Sequence, residues 1–295
     1  MLSAIARLGS ALMYVFQLLS STFWLVIALL YAKRGGDHWI RTIVGCWLSV
    51  VVRAGNPSYI IGIAIAAFLG VRSGNREISV VEFGVGRGGG MISMLKISRI
   101  FSKVLNMKIR VVGVDNGKGL PRPKDSRDHP EIWREGEFRL SDSDMLPRLK
   151  RLLSNKKARI VIGDLETDME RIAASVSDGS TQVGFISIDV DYYSSTKPIL
   201  DWISRSDTRS FIDYCPIYFD DTESLWSFNR FSGQELAIQE FNKMSNRFYL
   251  ENKHKSLKLY SLVDRVTSGK VVFNDLALPH GMLARIVSPK MQGWI

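Results

Sequence analysis

Five short apolar runs, each followed by a longer mixed stretch, constrain the fold of this chain more than any other feature. They are ISVVEFG (78–84), KIRVVGVD (108–115), ARIVIGD (158–164), VGFISID (183–189) and PIYFDD (216–221). A strand that reads as continuously apolar is buried on both faces, which occurs in parallel sheets covered by helices. Helices are expected from the first run to about Val104, from near Glu166, from about Ser195 and over 233–247. This alternation predicts an α/β fold with a doubly wound, mostly parallel sheet. SLKLYSLV (256–263) and MLARIVS (282–288) read as two final strands, making seven. The runs also end alike. Glu82 lies near the end of the first, and Asp115, Asp164, Asp189 and the pair Asp220-Asp221 close the others. In an open parallel sheet ligands bind outside the carboxyl ends of the strands. One rim therefore collects these six carboxylates.

The first run leads directly into GVGRGGG (84–90). Glycine allows a sharp turn and lets a ligand approach without meeting a Cβ. Gly84, Gly86 and Gly89 satisfy the G-x-G-x-x-G spacing of a dinucleotide loop. The longer pattern, from Glu82 through Gly84 and Gly86 to Gly88, places an acid two residues before the first glycine. That acid suits a cofactor carrying an ammonium group, as S-adenosylmethionine does. Asp115, ending the second strand, suits ribose hydroxyls of either cofactor class. An NAD-dependent dehydrogenase is the enzymatic rival, and Tyr193 and Lys197 have the Y-x-x-x-K spacing of one such family. The tyrosine is expected just past a strand, however, and the leading Thr-Gly of that family's loop is absent.

Four blocks, VEFGVGRGGG, VVGVDNGKGLPRP, ISIDVDYYSST and YFDDT, resemble the macrocin O-methyltransferase-like class I methyltransferases. The resemblance covers roughly residues 57–245. It implies a Rossmann-like methyltransferase fold closed by an antiparallel hairpin, and an S-adenosylmethionine-dependent O-methyltransferase. The acceptor it implies is a small hydroxylated molecule, such as a sugar or a glycolipid headgroup. By the same resemblance, Glu82, Gly84, Gly86 and Gly88 line the methionine part of the cofactor, Asp115 the ribose, and Asp164 the adenine amino group. Asp189, Asp220 and Asp221 form a Mg2+ site. Converging carboxylates repel one another unless a hard cation neutralises them, which supports that assignment independently. Asp191 is a further ligand candidate or a helix cap. His129 and His280 are candidate general bases because histidine titrates near neutrality, and Asp189 is the alternative catalytic proton acceptor. Asn116-Gly117-Lys118 departs from the family's usual block after the second strand. A non-catalytic scaffold or sensor that binds the cofactor at a membrane is the rival from another class.

The N-terminus differs from the rest. No charged residue occurs between Arg7 and Lys33, and LLSSTFWLVIALLY (18–31) lies within that run. The run is long enough to span a bilayer, and Lys33, Arg34 and Arg41 follow it, favouring a cytoplasmic location for what comes after. Buried helices that pack on the domain or on a partner are the alternative. TIVGCWLSVVV (42–52) is too short to span, and SYIIGIAIAAFLG (58–70) reads as a buried helix. The expected organisation is an apolar helical segment over 1–55 and a catalytic domain over 56–295. The net charge of +10 points to an anionic partner. No basic stripe interleaved with aromatics is present, so nucleic acid is not expected. Cys46 and Cys215 make neither a disulfide framework nor a metal knuckle. Homo-oligomerisation is left open. The charged segment 122–138, with Trp133 in it, is expected to wall the substrate site.

Overall fold

The computed structural model describes residues 37–264, apart from 143–145, 154–157, 177–178, 180, 223–229, 247 and 255–257. The apolar run 8–32, MLARIVS and His280 lie outside the described residues. Two helices precede the sheet, α1 (Asp37–Val51) and α2 (Pro57–Arg72). Five strand–helix units then alternate: β1 (Glu77–Phe83), α3 (Gly89–Val104), β2 (Lys108–Asp115), α4 (Leu146–Leu153), β3 (Ala158–Ile162), α5 (Met169–Val176), β4 (Gln182–Ile188), α6 (Tyr193–Arg205), β5 (Cys215–Phe219) and α7 (Gly233–Met244). The hairpin β6 (Phe248–His254) and β7 (Leu259–Asp264) follows.

The strands form one sheet in the order β3-β2-β1-β4-β5-β7-β6. β1 to β5 are parallel, and β7 runs antiparallel to both β5 and β6. The chain winds outward from β1 to β3, then returns to lay β4 on the other side of β1. That reversal opens a crevice beyond the carboxyl ends of β1 and β4. The seven-stranded, mostly parallel α/β fold is therefore the one the sequence predicts.

α2 is apolar on every side because both of its faces are covered. Asn56 caps it by accepting the Ser58 N–H at 2.8 Å, and Pro57 sits where no helical N–H is needed. Ile60, Ile61, Ile63, Ile65 and Phe68 are buried, each contributing about 1.5–3 kcal/mol. Gly62 lets the helix lie on Phe185 of β4, since a Cβ there would come within 2.3 Å of the ring. α1 packs on α2 and α3, burying Ile43, Cys46 and Val50, with Gly45 against the Phe101 ring. Both helices thus share the core of the sheet. Among the described residues no helix is long and apolar enough to cross a membrane.

The closing hairpin corrects the sequence reading. The run 256–263 holds the seventh strand, not the sixth, and the sixth is FYLENKH, upstream of it. Phe248 and Leu250 are buried, but the strand turns polar from Glu251 onward, so it lacks the continuous apolar signature of a central one. It lies at the sheet edge. Asn242 of α7 pins it by accepting the Leu250 N–H at 2.6 Å and donating to the Leu250 carbonyl at 2.9 Å.

Candidate active site

The loop after β1 has the shape its glycines permit. Gly84 has φ +86°, and a Cβ there would fall 1.7 Å from the Asp189 carbonyl oxygen. That approach brings the ends of β1 and β4 together. Gly90, in the first turn of α3, sits directly over Glu82, because a Cβ would come within 1.9 Å of Glu82 Oε1. Glu82 is 1 % exposed. Its Oε1 accepts the Tyr59 hydroxyl at 3.1 Å, and its Oε2 has no hydrogen-bond partner. Burial, and next the charge of Asp189, push its carboxyl well above the usual range.

Asp115 braces the loop from β2. Its Oδ2 accepts the Val85 and Gly86 N–H groups, both at 2.9 Å, and its Oδ1 accepts the Gly117 N–H at 2.6 Å. An ionised carboxylate has roughly four accepting positions, so about one remains, on Oδ1. Asp164 stands exposed beyond β3, where its Oδ1 accepts the Glu166 N–H at 2.8 Å.

Across the crevice, Asp189, Asp220 and Asp221 each offer an oxygen within 4.8 Å of the others. Burial raises Asp189 well above the usual carboxylate range, with the charges of Asp220 and Asp221 adding to it. Burial pushes Asp221 up to about 7 and Asp191 up to about 9, with neighbouring aspartates contributing. Asp221 is 7 % exposed and its Oδ2 has no partner. Lys258 offsets part of this charge, donating to the Asp220 carbonyl and lying 4.0 Å from its Oδ1. The Tyr218 hydroxyl also donates to Asp220 Oδ1. Gln234, fully buried at the start of α7, accepts the Asp221 N–H at 2.9 Å and donates to the Ile188 carbonyl at 3.1 Å. It ties the end of β4 to the segment after β5.

The glycine loop and the carboxylates open on one cavity of about 380 Å3. Gly84, Gly86, Asp115, Asp164, Asp189, Asp191, Asp220 and Asp221 line it; Glu82 and Gly88 do not. Glu82 acts on the cavity from beneath Gly90, and Gly88, with φ +84°, starts α3. The segment 116–139 closes the side, with Trp133 and Phe138 in the lining and their rings 5.7 Å apart. It is paired within itself, the Leu120 N–H bonding the Glu137 carbonyl and the Gly136 N–H the Leu120 carbonyl.

Asp128 fastens this wall to the scaffold. It is 1 % exposed, and its carboxylate accepts the Ser194 N–H at 2.8 Å, the Ser194 hydroxyl at 2.9 Å and the Lys124 N–H at 2.9 Å. The first turn of α6 is thus capped by Asp128 rather than by Asp191, which instead adopts a left-handed φ of +59°. His129 does not line the cavity. Its ring is buried against Gly233 and its Nδ1 lies 3.1 Å from Glu131. Tyr193 begins α6, contrary to the expectation that it precedes the helix. Its hydroxyl donates to Glu240 at 2.7 Å, and Lys197 pairs with Asp201, so the two do not meet at the cavity.

Tyr59, Asp128, Gln234 and Lys258 were not foreseen. Tyr59 left a signal, since a hydroxyl in so apolar a helix needs a buried partner; Asp128 and Gln234 sit in polar stretches, and Lys258 lies in a run read only as a strand.

No protein-family model matches the chain, and no curated protein matches it in sequence. Among solved structures it is similar to the O-methyltransferase NovP, at 15% identity over 69% of this chain and 78% of that one, with a TM-score of 0.47. A protein described as a class I S-adenosylmethionine-dependent methyltransferase, from Listeria monocytogenes, is 11% identical over 79% of this chain and 68% of that one, TM-score 0.35. MNMC2 from Aquifex aeolicus is 14% identical over 74% and 69% of the respective chains, TM-score 0.33.

Proposed function

We propose that the chain is an S-adenosylmethionine-dependent O-methyltransferase acting on a small hydroxylated molecule of the sugar class, with Mg2+ held by Asp189, Asp220 and Asp221. The observation that carries this reading is the meeting of a glycine loop and three converging carboxylates in one cavity. The residues fit both groups. Glu82 Oε2 is a buried acceptor without a partner beneath the loop, as an ammonium-bearing cofactor requires. The carboxylate set carries more negative charge than Lys258 offsets, and it is all oxygen, as Mg2+ prefers. A cavity of this size falls within the range that small-molecule sites occupy.

When bound, the methyl donor presents an electrophilic carbon and the cation acidifies an acceptor hydroxyl. The chain supplies position and charge. Gly84 and Gly86 keep the loop backbone open to the donor, and Asp115 holds that backbone in place. Glu82 offers its unpartnered Oε2 as an acceptor beneath the loop, and a bound ammonium group would favour its ionised form. Gln234 and Lys258 fix Asp220 and Asp221, and Asp189 takes the hydroxyl proton. Trp133 and Phe138 keep water from the reacting atoms and align the acceptor for in-line attack.

Calorimetry with S-adenosylhomocysteine tests the cofactor half, with micromolar or tighter binding expected and no binding of NADH. The reverse pattern would overturn the reading. For the catalytic half, Asp189→Ala should retain S-adenosylhomocysteine binding while losing methyl transfer to a sugar acceptor by at least about a hundred-fold, the scale of one lost proton acceptor.

A further inference from the structure

At the opposite end of the sheet from the cavity, a different surface collects positive charge. α1 runs antiparallel to α3. Gly45 lies against Phe101 near the end of α3, whereas Gly55, just past α1, reaches Ser93 near its beginning. Asp37 and Arg41 therefore lie at the amino-terminal end of the sheet. α2 finishes at that end with Arg72, and α3 approaches it with Lys103. Arg76 and Lys108 stand side by side there, the Lys108 N–H bonding the Arg76 carbonyl at 2.8 Å. Arg41, Arg72, Arg76, Lys103 and Lys108 are all exposed. Of the acids at this end, Glu77 and Asp207 are ion-paired with Arg110 and Arg209, which lie outside those five. Asp37, where α1 begins, Asp213, exposed just before β5, and Asp264, where β7 ends, are set against the five cations and are fewer.

We propose that this end of the molecule docks on a bilayer of anionic lipid, the basic residues meeting phosphate headgroups. Charge alone would also fit a nucleic acid. The sequence entering this face decides between them: α1 starts here, and the uncharged run between Arg7 and Lys33, followed by Lys33 and Arg34, comes just before it. A bilayer accommodates an apolar run flanked by cations at the headgroup level, while a nucleic acid has no use for one. The cytoplasmic leaflet, rich in anionic lipid, is the matching surface. β1 spans seven residues at about 3.3 Å each, so the cavity stands roughly 20 Å further from the lipid than Arg76 does. The cavity then faces the aqueous phase.

The test is co-sedimentation of the full chain with vesicles of phosphatidylcholine alone or with added phosphatidylglycerol. Binding to the anionic vesicles should be at least about ten-fold tighter, and that advantage should vanish in roughly 0.5 M salt. In the variant Arg76→Glu/Lys103→Glu/Lys108→Glu the advantage should be lost, because each cation is worth roughly five-fold and three of them are reversed. Equal binding to both vesicle types, or an unchanged advantage in the variant, would overturn the proposal. So would tight binding of duplex DNA by a chain that shows no lipid preference. A second readout needs no charge reversal. Both native cysteines are buried, so an environment-sensitive dye can be placed at Arg99→Cys near the docking end or at Arg122→Cys at the cavity rim. The first dye should shift to the blue on anionic vesicles and the second should not; the opposite pattern refutes the orientation.

Discussion

At the scale of single residues, the glycine loop divides into positions that the fold requires and positions that it does not. A methyl group at Gly90 would strike Glu82 beneath the helix, whereas one at Gly89 would meet nothing within 4 Å. Gly90→Ala should therefore cost about 2–4 kcal/mol of stability, and Gly89→Ala less than about 1 kcal/mol, as urea titration of the two variants would measure. Glu82 gives a pH-dependent counterpart. Its carboxyl is raised in the folded state, so its stabilisation is present at low pH and is lost as pH climbs from the unfolded value through the folded one. The stability of the wild type relative to Glu82→Gln should accordingly fall as pH rises above the ordinary glutamate range, and a flat or rising difference would contradict the buried acid. Sequence patterning exposed the acid and the glycines, because strand ends and turns restrict residue type. It left Tyr59 visible only as a hydroxyl in an apolar helix and hid its partner, because the contact with Glu82 joins residues far apart in the chain.

At the scale of elements, the wall segment depends on one cap. Asp128→Ala leaves the Ser194 and Lys124 N–H groups without their acceptor and should cost about 1–3 kcal/mol. Asp128→Asn should recover part of that loss in the same thermal melts. In methylation assays the acceptor KM should rise more than kcat falls, because the wall positions the acceptor without touching the reacting atoms. The strands were legible to within a residue or two where both faces are buried. β6 was not, since an edge strand with one polar face alternates like a surface loop that happens to hold two apolar residues. α4, LPRLKRLL, escaped notice for a related reason: flanked by charge, its apolar stripe is short.

At the scale of the whole molecule, a ligand that bridges β4 and β5 should stabilise the entire fold, because the sheet shares one core. Mg2+ at a hundred times its Kd should add about 2.7 kcal/mol to unfolding, read as an upward shift of the thermal midpoint. Asp220→Asn/Asp221→Asn should abolish that shift, and a shift that persists would place the cation elsewhere. The topology was readable because strand–helix alternation with carboxylates at strand ends leaves few arrangements. Which end of the sheet carries surplus positive charge was not, since cations far apart in sequence meet only after folding.

The bond from Asp128 to the first turn of α6 has a kinetic corollary. A side of the pocket that is anchored by a buried carboxylate exists before any ligand arrives, so association should need no slow rearrangement. Stopped-flow mixing with S-adenosylhomocysteine should then give a single phase whose rate stays linear in ligand concentration. In Asp128→Ala the same trace should bend toward a plateau, where the wall must be rebuilt on each encounter.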